Sequence, residues 1–266
     1  MDNLIENSNL ATDIGRKITN LLEMESLQSC RLANSSMKNM VDDPRFWLQK
    51  LDKKGSSKEH LIKWRKLINV VENTDLEENM TKCLMKMYQN FSKWAQAPIH
   101  IASKAGEASL VKIILEKIDS SMEKNEFGNT PMILAAGRGF FEVVKTLIVF
   151  TDIPNAPSNN GVTPIHMAVQ NGHLEILKML MATIENPNTP GNNGVTPIFI
   201  AAQEGHAEIV KLLASKVENP NAPLPDGRTP LQIATTRNHS KVMLVLKVVM
   251  LMAEYGKSET LEIVNA

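Results

Sequence analysis

The chain has 266 residues, and its 29 Lys plus Arg balance its 29 Asp plus Glu, so its formal net charge is zero. A dedicated nucleic-acid binder needs a large basic excess, and this balance argues against one. Hydrophobic residues make up 43% of the chain and no low-complexity tract interrupts it. These features exclude a wholly disordered protein and predict one elongated domain or two compact ones.

Compartment and cofactors are constrained by a few further features. Two isolated cysteines, Cys30 and Cys83, are too few for a disulfide framework or a metal knuckle, so we expect neither metal nor cofactor. The most apolar segment, residues 242–253, falls short of the roughly 20 residues that a membrane-spanning helix needs. We expect a soluble intracellular protein, cytoplasmic with the nucleus as a second location, that binds neither membrane nor nucleic acid.

The first predicted elements, after a tail of residues 1–12, are three short helices within residues 13–52. Their apolar residues recur at helical spacing, and the segment closes with Asp43-Pro44-Arg45-Phe46-Trp47. This order resembles an F-box, the helical module that recruits the Skp adaptor of cullin ubiquitin ligases. The usual opening Leu-Pro is missing, and Met37 replaces the central tryptophan. The resemblance implies an adaptor-binding set of Ile14, Ile18, Leu21, Leu22, Leu27 and Leu32. The alternative is a helical cap that shields the first of the repeats described below.

Residues 53–96 predict a helical connector of two helices. Leu61, Trp64, Leu67, Ile68 and Val71 form one apolar stripe, which indicates a packed segment rather than a flexible tether. Such a connector would hold the F-box-like module at a fixed angle to the repeats. Lysines and arginines cluster between residues 50 and 66, and a solvated face explains them better than nucleic-acid contact does.

From residue 97 onward a 33-residue repeat organises the chain, and we find no such spacing upstream. Its markers are five prolines at this spacing: Pro98, Pro131, Pro164, Pro197 and Pro230. A glycine stands three residues before four of these prolines and eight residues after four of them. Four of the prolines follow a threonine, which predicts an N-cap and a helix start. The later glycine predicts the helix end, and Asn238, the next most tolerant residue of a left-handed backbone, takes its place in the last repeat.

This period, with a turn and two helices in each repeat, resembles the ankyrin repeat. The resemblance covers residues 97–255, followed by a tail of residues 256–266. It implies an all-α protein: a solenoid of five helix-turn-helix repeats preceded by the F-box-like module and the connector. The family's histidine after Thr-Pro is kept as His100 and His166. Three other junctions should be looser or more apolar, since the histidine is replaced there by Ile133, Phe199 and Gln232.

The family pattern also implies which residues face a partner, because the turn tips and first helices of such repeats form a concave surface. Carried over by register, this candidate set is called the groove row: Glu126, Phe127, Asn129, Gly137, Arg138, Asn159, Asn160, Val162, Gln170, Asn171, Asn192, Asn193, Val195, Gln203, Glu204, Asp226, Arg228, Thr236 and Arg237. Phe127 is the candidate binding anchor, since aromatic residues supply much interface energy. Packing on its own turn is the open alternative. Hydroxylases modify one turn asparagine in this family, and by hypothesis they modify Asn155, Asn188 and Asn221 here.

We expect no enzyme, because the chain carries no metalloprotease signature, nucleophile elbow or phosphate-binding loop. The first functional hypothesis is a substrate-recognition subunit of a Skp-cullin-F-box ubiquitin ligase whose ankyrin groove holds a client protein. The second is an ankyrin scaffold or inhibitor whose N-terminal helices only cap the solenoid. The third, a nucleic-acid-associated regulator, has the least support.

Overall fold

The computed structural model describes residues 42–53, 58–72, 74–89, 97–118 and 123–255. These residues belong to two compact bodies, an N-terminal body within residues 1–121 and a C-terminal body within residues 122–266. The described ranges contain helices and no strand, which agrees with the predicted all-α class. None of the described helices combines the length and apolarity that a membrane span requires.

The N-terminal body contains five α-helices and a π-helical segment among its described residues. They are α1 (Pro44–Lys53), α2 (Lys58–Val71), α3 (Glu77–Gln89), α4 (Pro98–Ala105), α5 (Ala108–Ile113) and the π-helical segment Ile114–Ile118. Helix α1 packs on α2 and α3. Helix α3 then packs on α4, and α2 packs on the π-helical segment.

Local sequence explains where α1 begins and what it buries. The Asp43 carboxylate accepts a hydrogen bond of 2.8 Å from the Arg45 backbone N–H, and Pro44 stands at the first helical position, where it needs no donor. Trp47 is fully buried, and its ring meets that of Phe46 edge-on at 5.1 Å. The N-terminal helices therefore share one packed core.

The apolar stripe predicted for the connector is confirmed. The buried residues of α2 are the five expected ones, among them Trp64 at 0% exposure. The predicted adaptor-binding residues, in contrast, lie outside the described part of the chain, and they remain a prediction: Ile14, Ile18, Leu21, Leu22, Leu27 and Leu32.

The C-terminal body contains four helix pairs among its described residues. In chain order they are α6 (Pro131–Arg138) with α7 (Phe141–Val149), α8 (Pro164–Gln170) with α9 (Leu174–Met181), α10 (Pro197–Glu204) with α11 (Ala207–Ala214), and α12 (Pro230–Thr236) with α13 (Ser240–Tyr255). The first helix of each pair starts at a predicted proline. The threonine before each of these prolines caps its helix; Thr130 Oγ1, for example, accepts from the Ile133 N–H at 3.3 Å.

Within this body the helices form two layers. The first helices pack one on the next in the order α6, α8, α10, α12, while α7 packs on α9 and α11 packs on α13. Fully buried alanines, such as Ala135, Ala168 and Ala201, allow the first helices to approach closely. Asn238, which was predicted to replace the helix-end glycine in the last repeat, has the left-handed backbone conformation of that glycine, with a φ of +58°. Periodic helix stacking thus places successive turn tips along the first layer.

Candidate functional site

The candidate site is the groove row, all of which lies in the described C-terminal body. Most of its side chains are exposed and the others are half-buried, including Asn129, Val162, Val195 and Gln203. None of them is buried in the framework. The register carried over from the family therefore predicts residues that are accessible to a partner, and their binding of a partner stays a prediction.

The first turn tip holds Phe127 in an open position. The Asn125 side-chain oxygen accepts hydrogen bonds from the backbone N–H groups of Phe127 and Asn129, at 3.0 and 2.9 Å. The backbone is thus fixed from inside the turn, while Phe127 is 63% exposed. Phe127 can therefore present apolar surface to another molecule.

Neighbouring tips are joined by hydrogen bonds between repeats. The Asn192 side-chain amide donates to the Asn159 carbonyl at 3.0 Å. The Asn192 backbone N–H donates to the Asn160 carbonyl at 3.4 Å. These bonds fix the spacing of asparagines that lie side by side on the exposed surface.

His166 connects the framework of two repeats beneath these tips. Its Nδ1 accepts from the Thr163 backbone N–H at 3.2 Å and lies 2.8 Å from Thr163 Oγ1. Its Nε2 donates to the Val195 carbonyl at 3.3 Å, which joins the third repeat to the fourth. Burial lowers the pKa of His166, and the bond to Val195 offsets only part of that effect. The imidazole is therefore a neutral structural bridge.

The predicted effect of replacing this histidine differs between junctions. Ile133 and Phe199 are 2% and 1% exposed, so these two junctions are apolar, as expected. Gln232 instead keeps the capping function, because its side-chain oxygen accepts from the Thr229 N–H at 2.9 Å. The junction at Gln232 is therefore polar and not more apolar. That it is looser stays a prediction.

Arg228, in the fifth repeat, covers the apolar junction at Phe199. The Arg228 guanidinium lies 5.4 Å from the centroid of the Phe199 ring. Its Nε also donates to the Asp226 carboxylate at 2.7 Å. This hydrogen bond lowers the pKa of Asp226 and raises that of Arg228. Because the two charges are paired, Arg228 and Asp226 offer a partner little net charge.

The remaining surface of the row is neutral along its centre and charged towards its two ends. Exposed amides occupy the middle repeats, with Asn160 and Gln170 as examples. The exposed Arg138 and Arg237, at the ends of α6 and α12, form no ion pair with other described residues. Carboxamides both donate and accept hydrogen bonds, so this centre can pair with the peptide groups of a partner.

Three turn asparagines have a structural role that sequence reasoning missed. The side-chain oxygens of Asn155, Asn188 and Asn221 accept from backbone N–H groups ten residues later, at 3.2, 2.9 and 2.9 Å. They brace each turn against the start of the following helix. Their identical place in three repeats is the signal that could have revealed this. Whether a hydroxylase modifies them stays a prediction.

The described residues contain no group of three or more His, Cys, Asp and Glu side chains arranged to hold a metal ion. A family model described as "Ankyrin repeats (3 copies)" matches residues 67–155, 99–191 and 182–249, which together exceed half of the chain. No curated protein matches the chain.

One of the three family matches begins at residue 67, within the predicted connector and upstream of residue 97. Arg65 stands 33 residues before Pro98, and Asn73 follows it at the interval where later repeats have glycine. Residues 67–71 at the end of α2 and all of α3 lie within the match. The connector is thus similar to a degenerate repeat.

Proposed function

We propose, from the premise that this chain belongs to the ankyrin-repeat family, that its groove row captures a client protein. Ankyrin repeats make the chain a protein–protein interaction module. The observation that supports the groove row as the binding face is the contrast between a hydrogen-bonded framework and the exposed side chains above it. A surface fixed in advance loses less conformational entropy when a partner binds.

The client-binding proposal has a direct test. The full chain is immobilised, bound proteins are identified, and the affinity of the recovered client is measured for variants. Phe127→Ala combined with Arg138→Ala should weaken binding by about tenfold or more, because exposed aromatic and arginine side chains are frequent hot spots. Val149→Ala is the matched control, since Val149 is 78% exposed outside the groove row.

Thermal unfolding separates lost contacts from lost structure. The groove variant should unfold at the temperature of the parent chain, because both side chains are exposed. An unchanged client affinity removes Phe127 and Arg138 from the binding surface. Equal weakening by Val149→Ala moves the surface to the second layer of helices.

The finer part of the proposal is that residues 13–52 recruit a Skp-type adaptor, which makes the chain a substrate-recognition subunit of a cullin ubiquitin ligase. Ubiquitin transfer would then follow from proximity, with no chemistry in this chain, in the cytoplasm and the nucleus. The support is the F-box-like sequence and the packed α1 that closes it, with Trp47 fully buried.

Adaptor recruitment is tested with substitutions rather than with a long deletion. Removing residues 1–52 would also remove Trp47 and Leu51, both buried in the N-terminal body. Leu21→Glu with Leu22→Glu removes no residue of α1 and should abolish co-purification with the adaptor. If the parent chain retains no adaptor, the ligase proposal is wrong.

The second candidate function is a scaffold or inhibitor whose N-terminal helices only cap the repeats. It is favoured by the packing of α3 on α4 and of α2 on the π-helical segment, which covers the first repeat within the N-terminal body. A chain that binds its client with full affinity but never binds the adaptor would support this function.

A further inference from the structure

The last helix departs from the pattern of the other second-layer helices in the C-terminal body. Helix α13 has 16 residues, whereas α7, α9 and α11 have 9, 8 and 8. Its first half packs on α11 and α12, with Val242 and Leu246 fully buried. The second half therefore extends beyond the length that stacking in this body uses.

The outward face of α13 has also lost the polar pattern of its predecessors. The earlier helices repeat a glutamate and a lysine three residues apart, and Glu142–Lys145 and Glu175–Lys178 form ion pairs at 4.0 and 2.7 Å. In α13 the same register positions hold Lys241 and Leu244. Leu244 is 65% exposed, although its three counterparts are lysines. The solvated lysine position of the earlier helices has thus become apolar.

The exposed apolar residues continue along this face. Leu251, 44% exposed, follows Leu244 at two helical turns, and the half-buried Val248 lies between them. Spacings of four and three residues produce a straight seam like that of a coiled coil. The seam lies opposite Leu246, so it points away from the core of the body.

The seam is complementary to itself when two copies run antiparallel. Its midpoint falls between Lys247 and Val248, and Leu244 and Leu251 lie equally far from it. Lys241 and Glu254, both exposed, are also equidistant from that midpoint. An antiparallel second helix therefore places leucine opposite leucine and lysine near glutamate. Antiparallel alignment also sets each helix N-terminus beside the negative end of its partner's dipole.

We propose that α13 is a self-association surface, on which a second copy of this chain docks its own α13 antiparallel in a two-fold dimer. This surface shares no residue with the groove row. A 16-residue helix is about 24 Å long, so one such seam buries well under the roughly 800 Å² per partner of stable interfaces. The dimer is therefore weak and forms only at high protein concentration, as expected of an interface with one self-complementary seam.

The test is sedimentation of the full chain over a series of concentrations. The average mass should rise from the monomer value of 29.5 kDa towards twice that value as concentration increases. Leu244→Lys restores the residue found at this position in the other repeats, so it should fold normally and weaken association by about tenfold or more. Val149→Lys, on the exposed face of α7, is the control that should associate like the parent.

Charge exchange tests the antiparallel arrangement. Lys241→Glu brings two glutamates together and should weaken association, as should Glu254→Lys, while the double variant should restore it. A chain that stays at the monomer mass at every concentration overturns the proposal. So does a dimer that survives Leu244→Lys, or a double exchange that fails to restore association.

Discussion

Two glycines with the same backbone conformation offer a measurement of how tightly the repeats stack. Gly205, at the end of α10, has a φ of +80°, and Gly227, in the following turn, has a φ of +84°. A Cβ built on Gly205 would lie 2.8 Å from Nδ1 of His239 and 2.9 and 3.1 Å from two carbons of the same ring. A Cβ on Gly227 meets nothing within 4 Å.

The expected costs of alanine at the two positions follow from this difference. A left-handed backbone costs an L-residue about 1–2 kcal/mol, and this term applies to both positions. Gly205→Ala also pushes the His239 ring, whose Nε2 bonds the Gln203 carbonyl at 3.0 Å. Overpacking of this kind costs about 1–3 kcal/mol more. We expect Gly205→Ala to lower the free energy of unfolding by about 2–5 kcal/mol and Gly227→Ala by about 1–2 kcal/mol.

Urea unfolding followed by circular dichroism measures these losses. The unfolding midpoints of the variants can be compared when the slope of the unfolding free energy against urea concentration is the same for each. At position 227, where a Cβ has room, asparagine should be tolerated better than alanine, because Asn238 shows that asparagine adopts this left-handed conformation in the chain. Equal losses for the two alanine variants, or a larger loss at Gly227, would show that His239 does not restrict the space beside Gly205.

Two further outcomes follow from the site geometry. Burial lowers the pKa of His166, so its contribution to stability is present above the pKa of the unfolded chain, near 6.5, and is lost as the pH falls through the lower pKa of the folded state. His166→Gln, which imitates the capping by Gln232, should flatten the pH dependence of the urea midpoint between about pH 7 and 5; an unchanged dependence would exclude His166 as its source. Asn188→Ala removes the acceptor of the Ile198 N–H and should lower the free energy of unfolding by about 1–3 kcal/mol, whereas Asn160→Ala, on an exposed side chain, should leave it unchanged in the same titration.

The repeat register could be derived from sequence because its signals are local. Thr163 caps a helix through an atom three residues away, and Pro164 fits the first helical position whatever packs nearby. Such chemistry needs no knowledge of the rest of the fold. The same reasoning placed the apolar stripe of α2, because helical spacing alone determines which side chains share a face.

The family similarity upstream of residue 97 was not predicted, because these local signals are absent there. Arg65 occupies the proline position and Trp64 the threonine position, so neither marker of a helix start is present. Only Asn73 keeps the helix-end signal. The bonds between repeats were also out of reach, since the donation from Asn192 to the Asn159 carbonyl depends on how closely neighbouring turns lie. A linear sequence contains the two asparagines but not their distance.

The fifth repeat carries polar side chains at register positions where the fourth repeat buries apolar ones. Phe199, Ala202 and Ala214 are buried in the fourth repeat, at 1%, 0% and 5% exposure. Their counterparts one period later are Gln232, Thr235 and Lys247, all exposed. Burial of an amide, a hydroxyl and an ammonium group without partners costs free energy, so these three positions disfavour the close stacking that the fourth repeat shows. The apolar residues of α13, in contrast, face outward, where a second helix can cover them.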